Sequence, residues 1–168
     1  LSIVQAIASQ TLRGVSERSA VDALTKRIGA LSRAHDVLLK QRWSSADLED
    51  VVRATLSTFE QAGRVTFDGP PLQIGPRATL SVSLLLHELG TNAIKYGALS
   101  VPGGSIAISW EVRTGGQEAV VHMSWEETGG PRVHEPTKAG FGSRLIDMGL
   151  IGTGGVDLCY KETGLVAL

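Results

Sequence analysis

The stretch RATLSVSLLLHELGTNAIKY, residues 77–96, decides the reading of the fold. Pro76 stands just before it, where a first helical turn tolerates a residue without an N–H, and Gly97 follows Tyr96 as a C-terminal cap. The spacing predicts one long helix over 77–96. Leu85, Leu89 and Ala93, with Val82 and Leu86, make its apolar face. Beside that face Glu88, Asn92 and Lys95 fall at i, i+4 and i+7 and share one stripe, with Thr91 next to them. A carboxylate, an amide oxygen and an ammonium on one stripe suit a magnesium-bound polyphosphate: oxygens hold the metal and the cation meets phosphate charge. The same spacing also describes a solvated polar face with an ordinary Glu-to-Lys pair, and taken alone it leaves both readings open.

Downstream, Ser105–Val112 and Glu118–Glu126 alternate as strands joined through Gly115-Gly116. Short strands are expected near 156–160 and 165–168, with a short helix near 142–149. Upstream, Val65–Asp68 and Leu72–Ile74 read as short strands around the Gly69-Pro70-Pro71 turn. Before them lies a helix with the apolar face Leu48, Val51, Val52, Thr55, Leu56 and Phe59. Ser44 with Asp47 three residues on resembles a capping box at its start, with Asp in place of Glu. Helices with mostly antiparallel strands predict an α+β fold, a two-layer α/β sandwich over 43–168.

Residues 1–42 have a different rhythm, with no proline and glycines only at Gly14 and Gly29. Leu1, Val4, Ala8, Thr11 and Val15 follow a 3-4 alternation, which returns at Val21, Leu24, Ile28, Leu31, His35 and Leu38. Glu17–Ser19 separates the two runs, and Ser19 or Asp22 is placed to cap the second helix. The pattern predicts a helical hairpin, half of a four-helix bundle completed by a second copy as a homodimer. A hairpin packed on its own downstream domain is the alternative. The hinge between the two parts is expected near Arg42–Ser45.

Seventeen acidic against sixteen basic residues leave a net charge of −1, so there is no basic footprint for nucleic acid or an anionic membrane. No apolar run is long enough for a membrane span, and no signal peptide is expected. The lone Cys159 cannot form an internal disulfide, which fits a cytoplasmic setting.

Two further segments bear on the polyphosphate reading. Trp125-Glu126-Glu127-Thr128-Gly129-Gly130 ends a strand in acidic residues followed by glycines, with Trp125 and Glu127 on one face. A carboxylate at a strand end can accept from an adenine amino group, and glycines let backbone come close to a nucleotide. Gly140-Phe141-Gly142-Ser143 then precedes a helix, whose free N–H groups favour phosphate. Each motif is weak alone; their order on a helix, a strand end and a helix start is more specific.

In that order the segments resemble those of the HWE class of bacterial sensor histidine kinases. LHELGTNAIKYGALS is similar to the class N-box, marked by a histidine, here His87. Trp125 with Glu127 matches its Trp-x-Glu, GFGSRLI its second glycine box, and AHDVLL followed by Trp43 its second dimerisation helix. LSIVQAIASQTLR resembles the part of its first helix just after the phosphoacceptor motif. The resemblance implies MgATP as phosphoryl donor, with Asn92 holding Mg²⁺ and Glu88 helping to order the metal or orient the reacting groups. It implies Lys95 and Tyr96 at the phosphate or ribose, Glu127 as the adenine reader, and Gly129 and Gly130 shaping the pocket. Gly140, Gly142 and Ser143 would edge a lid over about 131–141. The acceptor histidine is expected upstream of Leu1, with His35 as a rival, and the last strand is expected to continue past Leu168. The implied partners are a response-regulator receiver domain and an upstream sensor domain. His87 marks the class without a derivable role; a lone helix histidine is more often structural. Two other readings stand beside this one: another ATPase or serine kinase of the same nucleotide-binding superfamily, and a non-catalytic phosphotransferase adaptor.

Overall fold

The computed structural model describes residues 17–40, 45–59, 63–115, 118–132, 158–161 and 164–167. The first run of the hairpin, Ser44, His134, most of the lid, the helix near 142–149, and Gly140, Gly142 and Ser143 lie outside the described residues.

Helix α1 spans Glu17–Lys40, followed by β1 (Ala46–Asp47), α2 (Leu48–Leu56), β2 (Val65–Asp68), β3 (Gln73–Ile74) and α3 (Pro76–Lys95). After a short turn of 3-10 helix at Ala98–Ser100 come β4 (Ser105–Gly115), β5 (Glu118–Thr128), β6 (Leu158–Lys161) and β7 (Gly164–Ala167). The larger sheet runs β2-β4-β5-β7-β6, parallel only between β2 and β4. Its one face buries Ile106, Ile108, Trp110 and Trp125 against Leu86, Leu89 and Ala93 of α3 and Val51, Val52 and Leu56 of α2, in a single hydrophobic cluster. On the other face Ala107, Ser109, Glu111, His122 and Glu126 are exposed. The fold is thus α+β, a two-layer sandwich, as the alternation of β4 and β5 predicts.

Several local expectations are corrected. Val65–Asp68 is a strand with the expected bounds and Leu72–Ile74 is shortened to Gln73–Ile74: β2 joins β4, whereas β3 joins β1 with Ala46 opposite Ile74 and Asp47 opposite Gln73. The Pro70-Pro71 corner separates them, and the Trp110 indole N–H donates to the Pro70 carbonyl at 2.8 Å. Helix α2 starts later than a Ser44 cap implies. Asp47 is the cap itself, its carboxylate accepting from the Glu49 N–H at 3.0 Å. Helix α1 is already formed at Glu17, so Ser19 and Asp22 lie inside it rather than at its start, and Glu17–Ser19 is not a break. Tyr96, not Gly97, caps α3, and Gly97 has a φ of −106°, outside the left-handed region.

Helix α1 packs on α2 and α3. Its buried residues are Ala30, Ala34 and Val37, with Arg27 one turn before them. The stripe Val21, Leu24, Ile28, Leu31 and His35 is turned elsewhere: Val21 and Ile28 are 55% and 44% exposed, and His35 is exposed. One helix therefore carries two stripes at helical spacing, and Ala30, Ala34 and Val37, rather than Val21 and Ile28, meet the domain. Among the described residues no helix is long and apolar enough to cross a membrane.

Candidate functional site

The polar stripe of α3 divides along its length. Asn92, Lys95 and Tyr96 are exposed, Tyr96 at 68%. Glu88 is buried, and both its oxygens are taken by Arg27 of α1, Nε to Oε1 at 2.8 Å and Nη2 to Oε2 at 3.1 Å. This is the two-pronged geometry that makes arginine–carboxylate pairs strong. Nothing in the local sequence foretells it, since the partners are 61 residues apart.

Glu127 ends up beside the C-terminal end of this same helix. It is 2% exposed, with Oε2 accepting from the Ala98 N–H at 2.7 Å and Oε1 from the Trp125 indole N–H at 3.1 Å. Burial pushes its carboxyl above the ordinary value, and the two donors from Ala98 and Trp125 pull the other way. A carboxylate has about four lone-pair sites, so two donors leave acceptor capacity. Gly97 is required here: a Cβ on it would lie 2.0 Å from Glu127 Oε2 and 3.0 Å from Ala93 Cα. The glycine that looks like a helix cap is thus a point of close approach between α3 and β5. Gly129 turns the chain with a φ of 70°, and Gly130 backs onto Ala98. Arg64, just before β2, braces the same wall by donating to the carbonyls of Gly104 at 2.7 Å and Ala98 at 3.0 Å, and also to that of Val101.

His87 is buried beside Glu88, its ring 5.4 Å from that of Phe59. Desolvation lowers its pKa to about 4, against the raising effect of Glu88; Arg33, Arg27 and Lys26 lower it further. Phe59 reaches this position over Gly90, where a Cβ would come within 2.7 Å of the ring.

A family model described as HWE histidine kinase matches residues 1–71. The blue-light-activated histidine kinase of Brucella anthropi is 40% identical over 171 aligned positions, covering 99% of this chain and 35% of that protein. The chain belongs to the HWE histidine kinase family. The Brucella ovis protein of the same description is 41% identical over 149 positions, covering 87% of this chain and 30% of its own length. The chain therefore spans about a third of the length of these curated relatives. Two solved structures share its fold. The blue-light activated histidine kinase of Erythrobacter litoralis EL346 has a TM-score of 0.73 at 18% identity, covering 99% of this chain and 55% of that one. Its histidine kinase domain has a TM-score of 0.66 at 17% identity, covering 99% and 80%.

Within this HWE chain the two marks of the class thus have different settings: Trp125 and Glu127 are joined by a hydrogen bond beneath the end of α3, and His87 faces α1 and Phe59. Of the residues singled out for nucleotide binding, Asn92, Lys95, Tyr96, Glu127, Gly129 and Gly130 fall on the end of α3 or on the end of β5 and the turn after it. Arg27, Phe59 and Arg64 are the contributors that sequence reasoning passed over. The sequence expectation of Phe59 on the apolar helix face is corrected, since α2 ends at Leu56 and Phe59 lies in the turn beyond it, packed against Gly90 and His87.

Proposed function

We propose that this chain is the catalytic core of a sensor histidine kinase, binding MgATP and passing the γ-phosphoryl group to a histidine and then to an aspartate of a receiver domain. The observation that carries the reading is the Ala98 N–H to Glu127 Oε2 hydrogen bond. It makes one wall from two separate sequence blocks, a buried carboxylate with raised proton affinity next to an exposed amide, ammonium and phenol. In this reading Glu127 accepts from the adenine amino group, with Gly129 and Gly130 shaping the pocket. Lys95 and Tyr96 meet the phosphate or ribose. Gly140, Gly142 and Ser143 edge the lid.

The donor set fits magnesium in the way phosphoryl-transfer sites usually do, with one or two protein oxygens and the rest from phosphate and water. Asn92 would supply one such oxygen, and Glu88 a second once Arg27 releases it. The ion, when bound, neutralises charge developing on the phosphates. The residues' own share is to orient the nucleotide and exclude water. In the transfer, the bond from the γ-phosphorus to the bridging oxygen breaks as a P–N bond to imidazole forms and ADP leaves; the P–N bond then yields to a P–O bond on the receiver aspartate. The neutral imidazole is already nucleophilic near neutral pH. Residues 1–42 act as the dimerisation and phosphotransfer hairpin and 43–168 as the ATP-binding domain, in the cytoplasm, with a sensor domain upstream.

Titration of the chain with MgATP tests the first half, with Asn92→Ala as control: Asn92 is exposed, so its loss should remove binding and leave the fold intact. The full-length protein with γ-labelled ATP tests the second. Acid-labile, base-stable label is expected. Binding with release of free phosphate and no protein label would move the assignment to an ATPase, and no binding at all to an adaptor.

A further inference from the structure

Between α1 and α3 lies a cleft of about 400 Å³, a size that suits a small organic ligand. Its charged residues are Lys26 and Arg33 from α1 and Lys95 from α3, and no aspartate or glutamate lines it among the described residues. The Phe59 ring and Ile94 give it an apolar wall. His87 closes it, 5% exposed, with Nδ1 buried and without a hydrogen-bond partner; Arg33 Nε is likewise buried and unpartnered. Such orphaned groups are uncommon in a folded protein and call for a ligand atom or water.

The cleft is not the nucleotide wall described above. At 100° per residue, His87, Thr91 and Ile94 lie within about 60° of one another around α3, and Asn92 lies about 100° further round. Lys95 and Glu88 stand between the two, at about 80° and 100° from His87, and of these Lys95 lines the cleft. Three cations around an apolar pocket focus potential inward and favour an anion, while the ring and aliphatic wall favour a hydrophobic body.

We propose that this cleft is a binding site for a small aromatic or aliphatic carboxylate. The carboxylate lies against Arg33, Lys26 and His87 Nδ1, and the apolar body against Phe59 and Ile94. The two walls come from different helices, so a ligand here fastens α1 to α3. On the kinase reading, and only on it, that also keeps Arg27 on Glu88.

The test needs no nucleotide. The 168-residue chain, labelled in its four histidines, is titrated with 2-naphthoate, with neutral 2-naphthamide and with inorganic phosphate, and the ring resonances are followed by NMR. We expect naphthoate to shift His87 selectively and to bind at least about ten-fold more tightly than naphthamide or phosphate, since either half of the site is then missing. Arg33→Gln should weaken naphthoate by about ten-fold. Gly29→Leu should abolish binding by filling the cleft; a Cβ at Gly29 meets only Arg33 Nη1, at 3.5 Å, and leucine favours helix more than glycine, so this variant keeps its fold. A His87 resonance unmoved by naphthoate, equal affinity for the amide, or full binding by Gly29→Leu each overturns the site. Absence of MgATP binding in the separate nucleotide titration, with naphthoate binding present, would overturn the kinase reading and leave this site standing.

Discussion

Replacing Arg27 by glutamine removes the partner that holds both oxygens of Glu88, and the structure sets the scale of the effect. The side chains of Arg27 and Glu88 are only 14% and 11% exposed. Exposed ion pairs contribute about 0.2–1 kcal/mol. Removing one member of a fully buried pair costs about 3–5 kcal/mol, because a charge is left without compensation. This pair sits toward the buried end but on a seam between two helices that solvent reaches, so Arg27→Gln should destabilise the chain by about 2–3 kcal/mol. For a protein of this size that lowers the melting temperature by about 5–10 °C. Glu88→Gln should cost somewhat less, since glutamine can still accept from Arg27. The double variant should be less destabilised than the sum of the two, with a coupling energy of about 1.5–2 kcal/mol in a urea-denaturation cycle. A coupling below about 0.5 kcal/mol would refute the reasoning and mean that α1 is held on α3 by its apolar stripe alone.

Gly90→Ala should destabilise by about 1–3 kcal/mol, although alanine is the better helix former, because its Cβ would meet the Phe59 ring at 2.7 Å; chemical denaturation measures it. Gly97→Ala should displace the Glu127 carboxylate, 2.0 Å from the added Cβ, and weaken MgATP binding by at least about ten-fold in a calorimetric titration. His87 has a folded pKa of about 4 against an ordinary 6.5, so the unfolded chain binds the extra proton between these values. Its contribution is full above pH 6.5 and is lost as pH falls toward 4, by at most about 3 kcal/mol. Glu127, raised by burial, acts in the opposite sense from its ordinary value of 4.5 upward. The difference between wild type and His87→Phe in stability against pH therefore isolates the histidine, and a flat difference would contradict its burial as a neutral ring.

Long periodic elements were legible in the sequence because their burial is one-sided. The apolar stripe of α3 and the alternation through β4 and β5 reach the observed cluster without help from distant residues. The same is true of the proximity of Trp125 to Glu127, which follows from a period of two. Helix α1 was harder. Val21 and Ile28 have the hydrophobicity of a seam, yet the residues that pack inward are Val37 with Ala30 and Ala34, and the two alanines weigh little in a periodic pattern because each buries little area. The two-residue strand β1 is too short to carry any period and is defined only by its partner β3. Gly97 illustrates a different failure. Its position after a helix fits a cap, and only the approach of β5 shows that the missing side chain, not backbone freedom, is what the site uses. Arg27 and Arg64 act across 61 and 40 residues of chain respectively, beyond the reach of any local spacing rule.

The single parallel contact of the sheet has a consequence for how the chain is made. Strands β4 and β5 pair from Ser105 with Thr128 to Gly115 with Glu118, a hairpin whose halves are neighbours in sequence. Val65 must instead wait for Ile106, with the whole of α3 synthesised between them. A nascent chain therefore carries β2 without β4, its partner among the described residues, while that strand is still inside the ribosome. At four residues, with Asp68 at its end, β2 is too short and too polar at its tip to recruit another chain during that interval, so the long delay brings little aggregation hazard.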